Sequence, residues 1–490
     1  MMAHDAVKAF YAASELLLAA RNGRVDAVER LVKSGVSVNA SNAGDSAFST
    51  AFARRHTRVY RFLAGHGADV DHPVRFDVEG KAQHAPAVVI ATIEQNAPLV
   101  RFLVENGADV NANVTDNRAT ALSWAAWRGD LDMTKLLLSL GARISRSRYK
   151  EVSEELGAHP KQARRLQRTL LMVEDGQMEA TAWILMAIAC GQQHKTLAGY
   201  LWKHYEDGLR SSPLVRSVGV LALSFAVENQ DWELIDRLLK TGVPVNGRCE
   251  DGSTAAHAAI GVGSLDLLKF LVSCGANVVS TSPNMAPVDR SALRHAVYHG
   301  HVDVMRYLLS FATSSFEQLR VEALSMAVQA GQVVIAQDLL YSSPSLISLS
   351  TLRRMQLIDV AVTIGSVEVV AGLLDRVEGI QQRDLDAALS KASLMGHDSL
   401  VSLLLAYGAD VNSTNKFGMR LPLHAAADRV GPTFQNVVDI LLRHGSDTLE
   451  CDSFGETPLD AARRKLSTLR DARSRELVQG IVDLLEQFDR

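Results

Sequence analysis

Apolar residues in this chain fall at helical spacing in short blocks, and the blocks come in pairs. From Leu400 onward the sequence reads LVSLLLAYGADVNSTNKFGMRLPLHAAA, with Leu400, Val401, Leu403, Leu404 and Leu405 clustered on one broad helical face. Such a face must be buried. Gly408 follows the last turn, where a left-handed residue closes a helix and glycine carries no Cβ penalty. Ala409, Asp410, Val411 and Asn412 then leave as an extended arm, and positions 415–418 supply turn residues. Pro422 sits in the first turn of the next helix, where a missing N–H costs nothing. One helix pair of this kind cannot bury its apolar face alone, so the pattern predicts stacked pairs.

The end-of-helix position recurs at Gly35, Gly67, Gly107, Gly141, Gly176, Gly208, Gly242 and Gly275. It loses its glycine at Ser310, Ser342 and Asp375, and regains it at Gly408 and Gly445. The spacing centres near 33 residues, the period of a helix-pair repeat. Three intervals depart from it. An enlarged loop runs from His72 to Ala85, with Pro73 and Gly80. The interval from Ser145 to Gly176 lacks the usual opening motif, yet helical stretches around 151–156 and 162–173 are expected to fill it as a further unit. An insertion around Val430, Gly431 and Pro432 separates the helices of the penultimate unit. Between Ser315 and Val377 the helix pairs are expected to persist with shorter arms.

The motifs in register with this period resemble the ankyrin-repeat family over nearly the whole chain. Gly67-Ala68-Asp69-Val70-Asp71, Gly107-Ala108-Asp109-Val110-Asn111 and Gly408-Ala409-Asp410-Val411-Asn412 match the family's tail. Thr254-Ala255-Ala256-His257, Leu421-Pro422-Leu423-His424 and Thr457-Pro458-Leu459-Asp460 match its head in part, and Gly300-His301 and Gly396-His397 match its inter-helix turn. The resemblance implies an all-α ankyrin-repeat solenoid of about thirteen helix-turn-helix units with short β-hairpin loops. The expected divisions are 1–40 (N-terminal cap and first unit), 41–145 (units with the enlarged loop), 146–210 (degenerate units) and 211–280 (units). They continue with 281–383 (units, degenerate after 314), 384–452 (units) and 453–490 (C-terminal cap). The cap carries Arg463, Arg464, Lys465, Arg470, Arg473 and Arg475, a polar outer face of the sort terminal repeats need.

Composition narrows the function classes. The 490 residues carry a formal charge of −4, which gives no global pull toward nucleic acid or anionic membrane. Cys190, Cys249, Cys274 and Cys451 are scattered, so neither a disulfide framework nor a CxxC zinc site is expected. The longest apolar run, from Ala182 to Cys190, is half a membrane span, and no signal peptide opens the sequence. A cytoplasmic, monomeric protein is the expectation, with nuclear import as the alternative.

Candidate chemistry is sparse. His295, His299 and His301 have spacing that could present imidazoles to zinc, but no carboxylate or cysteine nearby completes a set. His257 and His424 occupy the head-motif position, where the ring is expected to bond backbone and brace adjacent units. Gly261-Val262-Gly263 begins like a dinucleotide fingerprint without its third glycine or a preceding strand, and reads as an inter-helix turn. Leu103 with Asn111, and Leu404 with Asn412, carry the spacing of sites resembling those of intracellular asparaginyl hydroxylases, against the simpler reading that these asparagines serve the hairpins. No catalytic residue, cofactor or metal is expected. Arg143, Arg146, Arg148, Lys150, Lys161, Arg164, Arg165 and Arg168 form the densest basic stretch, interrupted by Glu151, Glu154 and Glu155. A solvated face is favoured there over an import signal or a nucleic-acid patch.

In the family that the chain resembles, partners dock on the concave side, on hairpin tips and on two variable positions before the inter-helix turn. Those positions here are Arg21-Asn22, Ala53-Arg54, Trp127-Arg128, Glu228-Asn229, Tyr298-His299 and Leu394-Met395. Trp, Tyr and Arg dominate interface energetics, so Trp127 with Arg128 leads the candidates, followed by Tyr298 with His299, then Arg21, Asn22, Glu228 and Asn229. The expected function is a non-catalytic scaffold or adaptor for a partner protein, conceivably beside a biosynthetic pathway or signalling complex. The alternative is a nuclear co-regulator that uses the 143–168 stretch for import.

Overall fold

The computed structural model describes residues 2–42, 44–78, 81–112, 120–144, 165, 178–278, 290–311, 316–342, 346–413, 421–452 and 454–488. It divides into two compact units, Met1–Val262 with Lys269–Ala276, and Gly263–Leu268 with Asn277–Arg490. The first holds α1 (Met2–Arg21), α2 (Val25–Lys33), α3 (Ala47–Ala53), α4 (Thr57–Gly65), α5 (Ala87–Ile93), α6 (Ala97–Glu105), α7 (Ala121–Arg128) and α8 (Leu131–Ser139). It continues with α9 (Met178–Gly191), α10 (Lys195–Ser211), α11 (Val218–Glu228), α12 (Trp232–Lys240) and α13 (Ala255–Val262), while α14 (Leu265–Ser273) is divided between the units. The second holds α15 (Arg290–Tyr298), α16 (Val302–Leu309), α17 (Phe316–Gln329), α18 (Val333–Tyr341), α19 (Thr351–Ile364) and α20 (Val367–Arg376). It ends with α21 (Gln382–Met395), α22 (Asp398–Ala406), α23 (Pro422–Ala427), α24 (Pro432–Arg443), α25 (Pro458–Thr468) and α26 (Ala472–Phe488). Among the described residues these make thirteen helix pairs.

Through most of each unit the first helix of a pair packs on the first helix of the next; at α3 the hairpin strand Val74–Val78 takes that contact instead. In the first unit α9 meets α11 and α11 meets α13; in the second, α19 meets α21 and α21 meets α23. A first helix is therefore covered on two sides. Val218 to Val227 of α11 are all buried, whereas in its partner α12 only Leu234, Ile235 and Leu238 are. The head-motif hydroxyl sets the start of the first helix: Thr120 and Ser123, and Thr457 and Asp460, form reciprocal capping boxes.

Adjacent pairs are tied by two recurring polar struts. A ring from the turn of one pair lies over the turn glycine of the pair before it. His56 Nε2 is 3.0 Å from the Arg21 carbonyl, and His194 Nε2 is 2.9 Å from that of Trp127. Gln332 takes the same place, donating to the Tyr298 carbonyl at 2.9 Å. The second strut is the tail asparagine. Asn39 donates to Gly67 O at 3.1 Å and accepts from Asp69 N at 2.7 Å, and Asn412 does likewise with Gly445 O and Asp447 N at 3.2 and 2.8 Å. Asn111 accepts from Arg143 N at 2.7 Å. These asparagines thus serve the following pair rather than their own hairpin. His424 behaves as expected, its buried Nε2 3.0 Å from Glu456 O in the next pair, while His257 Nδ1 lies 2.9 Å from Thr254 Oγ1 in its own pair.

Three expectations are refined. The enlarged loop is a hairpin, β3 (Val74–Val78) on β4 (Lys81–Ala85), following the two-residue β1 (Ser41–Asn42) and β2 (Asp45–Ser46); Val74 pairs with Ala85, and both are buried. Between 315 and 377 the arms do not merely shorten: α17 and α19 have 14 residues each, against 7 and 8 for α3 and α7, so helix replaces hairpin. There the second helices end without a left-handed cap, at Ser342 with φ −68° and Val377 with φ −96°. Arginines substitute for it. Fully buried Arg320 donates to the Leu339 and Leu340 carbonyls at 2.7 and 3.2 Å and pairs with Glu317, and Arg376 adds a bond to Leu340 O at 3.2 Å. Buried Arg354 and Asp384 pair at 2.9 Å.

The third concerns the interval from Ser145 to Gly176: the pairs on either side of it are in contact, with α7 packed on α9 and His194 reaching the Trp127 carbonyl. Ile144 N donates to Thr181 Oγ1 at 3.1 Å, closing the interval at its two ends. The helices expected around 151–156 and 162–173, with Arg146, Arg148, Lys150, Lys161, Arg164 and Arg168, lie outside the described residues, as do the turn residues 415–418.

Two stability outcomes follow from these contacts. Gly129 has φ +71°, and a Cβ there would lie 2.5 Å from His194 Nδ1, whereas Gly35 has φ +94° with open space around it. Gly35→Ala should cost about 1–2 kcal/mol for the left-handed backbone alone, and Gly129→Ala clearly more, read as shifts in urea midpoint. Arg320→Ala, which strips donors from two helix-end carbonyls, should cost about 2–4 kcal/mol. Arg306→Ala, whose ion pairs to Asp303 and Asp338 sit on an exposed guanidinium, should cost under about 1 kcal/mol.

Candidate docking surface

The positions before the inter-helix turns lie at the ends of the first helices, and near the N-terminus they edge a groove. Arg21 at the end of α1 and Arg54 after α3 are exposed, and hairpin residue Arg75 faces them. The groove measures about 960 Å³ and is also lined by Leu17, Leu18 and Phe76. Leu18 is 58% exposed, and the one acid on the lining is Asp45. Among the described residues no carboxylate pairs with Arg21, Arg54 or Arg75. On its other side the hairpin borders a second hollow of about 550 Å³, lined by Phe52, Tyr60, Ile90 and Ile93 and crossed by the Arg55–Glu94 ion pair at 2.9 Å. Asn22, next to Arg21, is exposed but does not line the groove.

Trp127 does not present an exposed anchor. It is buried, as every residue of α7 from Ala121 to Ala126 is, because α5 and α9 cover this helix on both sides. Arg128 is exposed but committed: its Nη1 donates to Ile93 O at 2.8 Å, and its guanidinium lies 5.6 Å from the Trp124 ring centre. Tyr298 is 67% exposed and His299 is exposed beside it, ring centres 5.6 Å apart edge-on. His295 and His301 flank His299 at 4.6 and 6.0 Å between ring centres, and His301 packs over the Gly263 turn. Among the described residues no group of three or more His, Cys, Asp or Glu side chains is placed to hold a metal ion, and no helix is long and apolar enough to cross a membrane.

Glu228 and Asn229 are half-buried and engaged. Asn229 Nδ2 donates to Cys190 O at 2.6 Å. Glu228 pairs with Arg165, which sequence reading placed on a solvated basic face. That assignment is corrected for Arg165, whose side chain is only 20% exposed. Its Nη2 donates to Ser224 Oγ at 2.8 Å, its Nε lies 3.5 Å from Asp251 Oδ2, and the guanidinium sits 5.3 Å from the Phe225 ring centre. Burial would raise the Asp251 carboxyl, but bonds from the Ser253 hydroxyl and N–H, with the Arg165 charge, outweigh it and hold the group below the usual carboxylate range. Sequence reasoning missed this pocket and the roles of Leu18, Arg75 and Phe76; the unusual length of the 72–85 loop was the one available sign of the latter two.

Comparison with known proteins agrees with the geometry. The model of a family described as ankyrin repeats matches residues 75–148, 185–282 and 389–470, about half of the chain, and a single ankyrin repeat model matches 14–43. The chain is similar to the B-cell lymphoma 3 protein homolog of Mus musculus, 28% identical over 221 residues, which is 43% of this chain and 47% of that protein. It is also similar to protein fem-1 homolog A-like of Mus musculus, 33% identical over 87 residues, which is 18% of this chain and 12% of that protein. The chain thus spans less than half the length of either relative.

The depressed carboxyl makes a pH prediction. Asp251 adds stability that is present above its unfolded value of about 3.9 and is lost as pH falls through its lower folded value. The Tm deficit of Asp251→Asn relative to the parent should therefore be present at neutral pH and close below the ordinary carboxylate range.

Proposed function

This chain belongs to the ankyrin-repeat family, and from that premise we propose that it is a non-catalytic scaffold whose partner protein docks on the N-terminal groove. The groove carries the reading. Three exposed arginines without acidic partners among the described residues surround an apolar floor of Leu17, Leu18 and Phe76. Unspent cations around an apolar patch suit a partner segment that alternates acidic and apolar side chains. Arginine forks bind carboxylates in pairs, and the charge steers encounter. Nothing in the groove resembles a catalytic set: it holds one carboxylate, Asp45, with no imidazole or thiol on its lining. Tyr298 and His299 offer a second, more polar contact area on the other unit. The import reading is less well supported, since Arg165 is engaged in ion pairs rather than free to be read.

Placing a photo-crosslinking residue at Arg54 should give covalent partner adducts in cells, and the same residue at Arg473 on the C-terminal cap should not. Arg21→Glu with Arg54→Glu should weaken capture about tenfold or more without lowering helicity. Equal adducts at both positions, or capture indifferent to the reversal, would refute the proposal.

A further inference from the structure

The tail strut that ties one helix pair to the next asks one side chain both to donate and to accept. Asn39 and Asn412 do both. Their Nδ2 donates to the carbonyl of the glycine that closes the following pair, and their Oδ1 accepts the N–H two residues beyond that glycine. Asn246 likewise donates to Gly275 O at 2.8 Å. At α21, where the preceding pair supplies no such asparagine, the two roles are divided. Gln382 donates to Gly408 O and Asp386 accepts from Asp410 N, each at 2.8 Å.

At Asp71 the series breaks. This residue stands four after Gly67, as Asn39 stands four after Gly35, and its Oδ2 accepts from Asp109 N at 2.8 Å. An ionised carboxylate has no donor to offer the carbonyl of Gly107. Its Oδ1 is buried and has no hydrogen-bond partner among the described residues, which costs free energy. The charges that face it are Asp69 on its own arm and Asp109 on the next. These two already accept from Asp71 N at 3.1 Å and Asn111 N at 2.8 Å. Neighbouring His72 turns to Gly44 O at 2.8 Å, and among the described residues no cation pairs with Asp71. The ring strut is also lost at this junction. Asn96, at the place of His56, caps its own helix by accepting from Leu99 N at 3.1 Å.

We propose that Asp71 is a proton-dependent strut between the pairs α3–α4 and α5–α6. Protonated, it donates from Oδ1 to Gly107 O as the asparagines do; ionised, it keeps only the bond from Asp109 N. Burial, with the charges of Asp109 and Asp69, pushes its carboxyl above the usual carboxylate range against the opposing effect of the Asp109 N–H. The stabilisation is thus full below the unfolded value of about 3.9 and lost as pH rises through the higher folded value. Acid tightens this junction while it loosens the contact of Asp251, whose carboxyl is shifted the other way. The strut sits just before the hairpin that walls the N-terminal groove, and it stands whether or not a partner docks there.

Hydrogen exchange of the full chain, followed by mass spectrometry over residues 107–112, tests this. At neutral pH, Asp71→Asn should slow exchange there about fivefold relative to the parent, the effect of one net hydrogen bond. Asp71→Ala should speed it, since donor and acceptor are both gone. As pH falls to about 4 the parent should approach Asp71→Asn, and the two should share one acid-unfolding midpoint. Residues 445–447, held by Asn412, should exchange alike in all three proteins. Exchange at 107–112 that Asp71→Asn leaves unchanged or speeds overturns the proposal. So does equal slowing by Asp71→Ala, which would make loss of charge sufficient. A ratio that stays constant with pH, an earlier acid midpoint for the parent, or a change that extends equally to 445–447 overturns it as well.

Discussion

Every helix pair in this chain presents an apolar face that its own residues cannot cover. The nearly complete burial of α11 against the partial burial of α12 shows the consequence: a first helix becomes interior only when another pair lies on each side. Stability is thus shared between neighbours, and the polar contacts that matter most are those that fix one pair on the next. The ring over a turn glycine does two things at once. It satisfies a carbonyl at the end of the preceding first helix, and it requires a glycine at the point of closest approach. That glycine is also the residue that can take the left-handed turn, so a single position answers to local backbone conformation and to packing.

Where the repeat loses its glycine, the chain solves the same end-of-helix problem differently. The C-terminal carbonyls of a helix need donors, and around α18 they get them from the Arg320 and Arg376 guanidiniums instead of from a left-handed turn. The accompanying growth of α17 and α19 replaces hairpin arms with extra helical turns. A buried guanidinium is tolerated because carbonyls and Glu317 meet its donors. Drift away from the family pattern has therefore not emptied these pairs of structure; it has exchanged a backbone device for a side-chain one.

The surface left over by stacking is where the proposed docking site lies. Two features of it arise from insertions, not from the repeat. The hairpin β3–β4 brings Arg75 and Phe76 to the wall of the N-terminal groove, and Arg165, between the pairs α7–α8 and α9–α10 in sequence, lies against Glu228. Across the second interval α7 still meets α9, whereas at the first the hairpin strand β3 packs on α3.

Helix periodicity, the closing glycines and the spacing near 33 residues determined the architecture by themselves, because each is a local demand that a linear pattern records. The hairpin in 72–85 was legible as excess length and the turn histidines as a motif. Which pairs would be neighbours was not legible: 145–176 carries enough helical pattern to pass for a unit, and only the fold shows α7 and α9 meeting, with His194 on the Trp127 carbonyl. Exposure was likewise a tertiary matter. Trp127 and Arg21 occupy the same position in the repeat, yet the tryptophan is covered by helices on both sides and the arginine edges an open groove. The pairing of Arg165 with Glu228, 63 residues away along the chain, could come only from the fold, since charge patterns in sequence do not say which opposite charges meet.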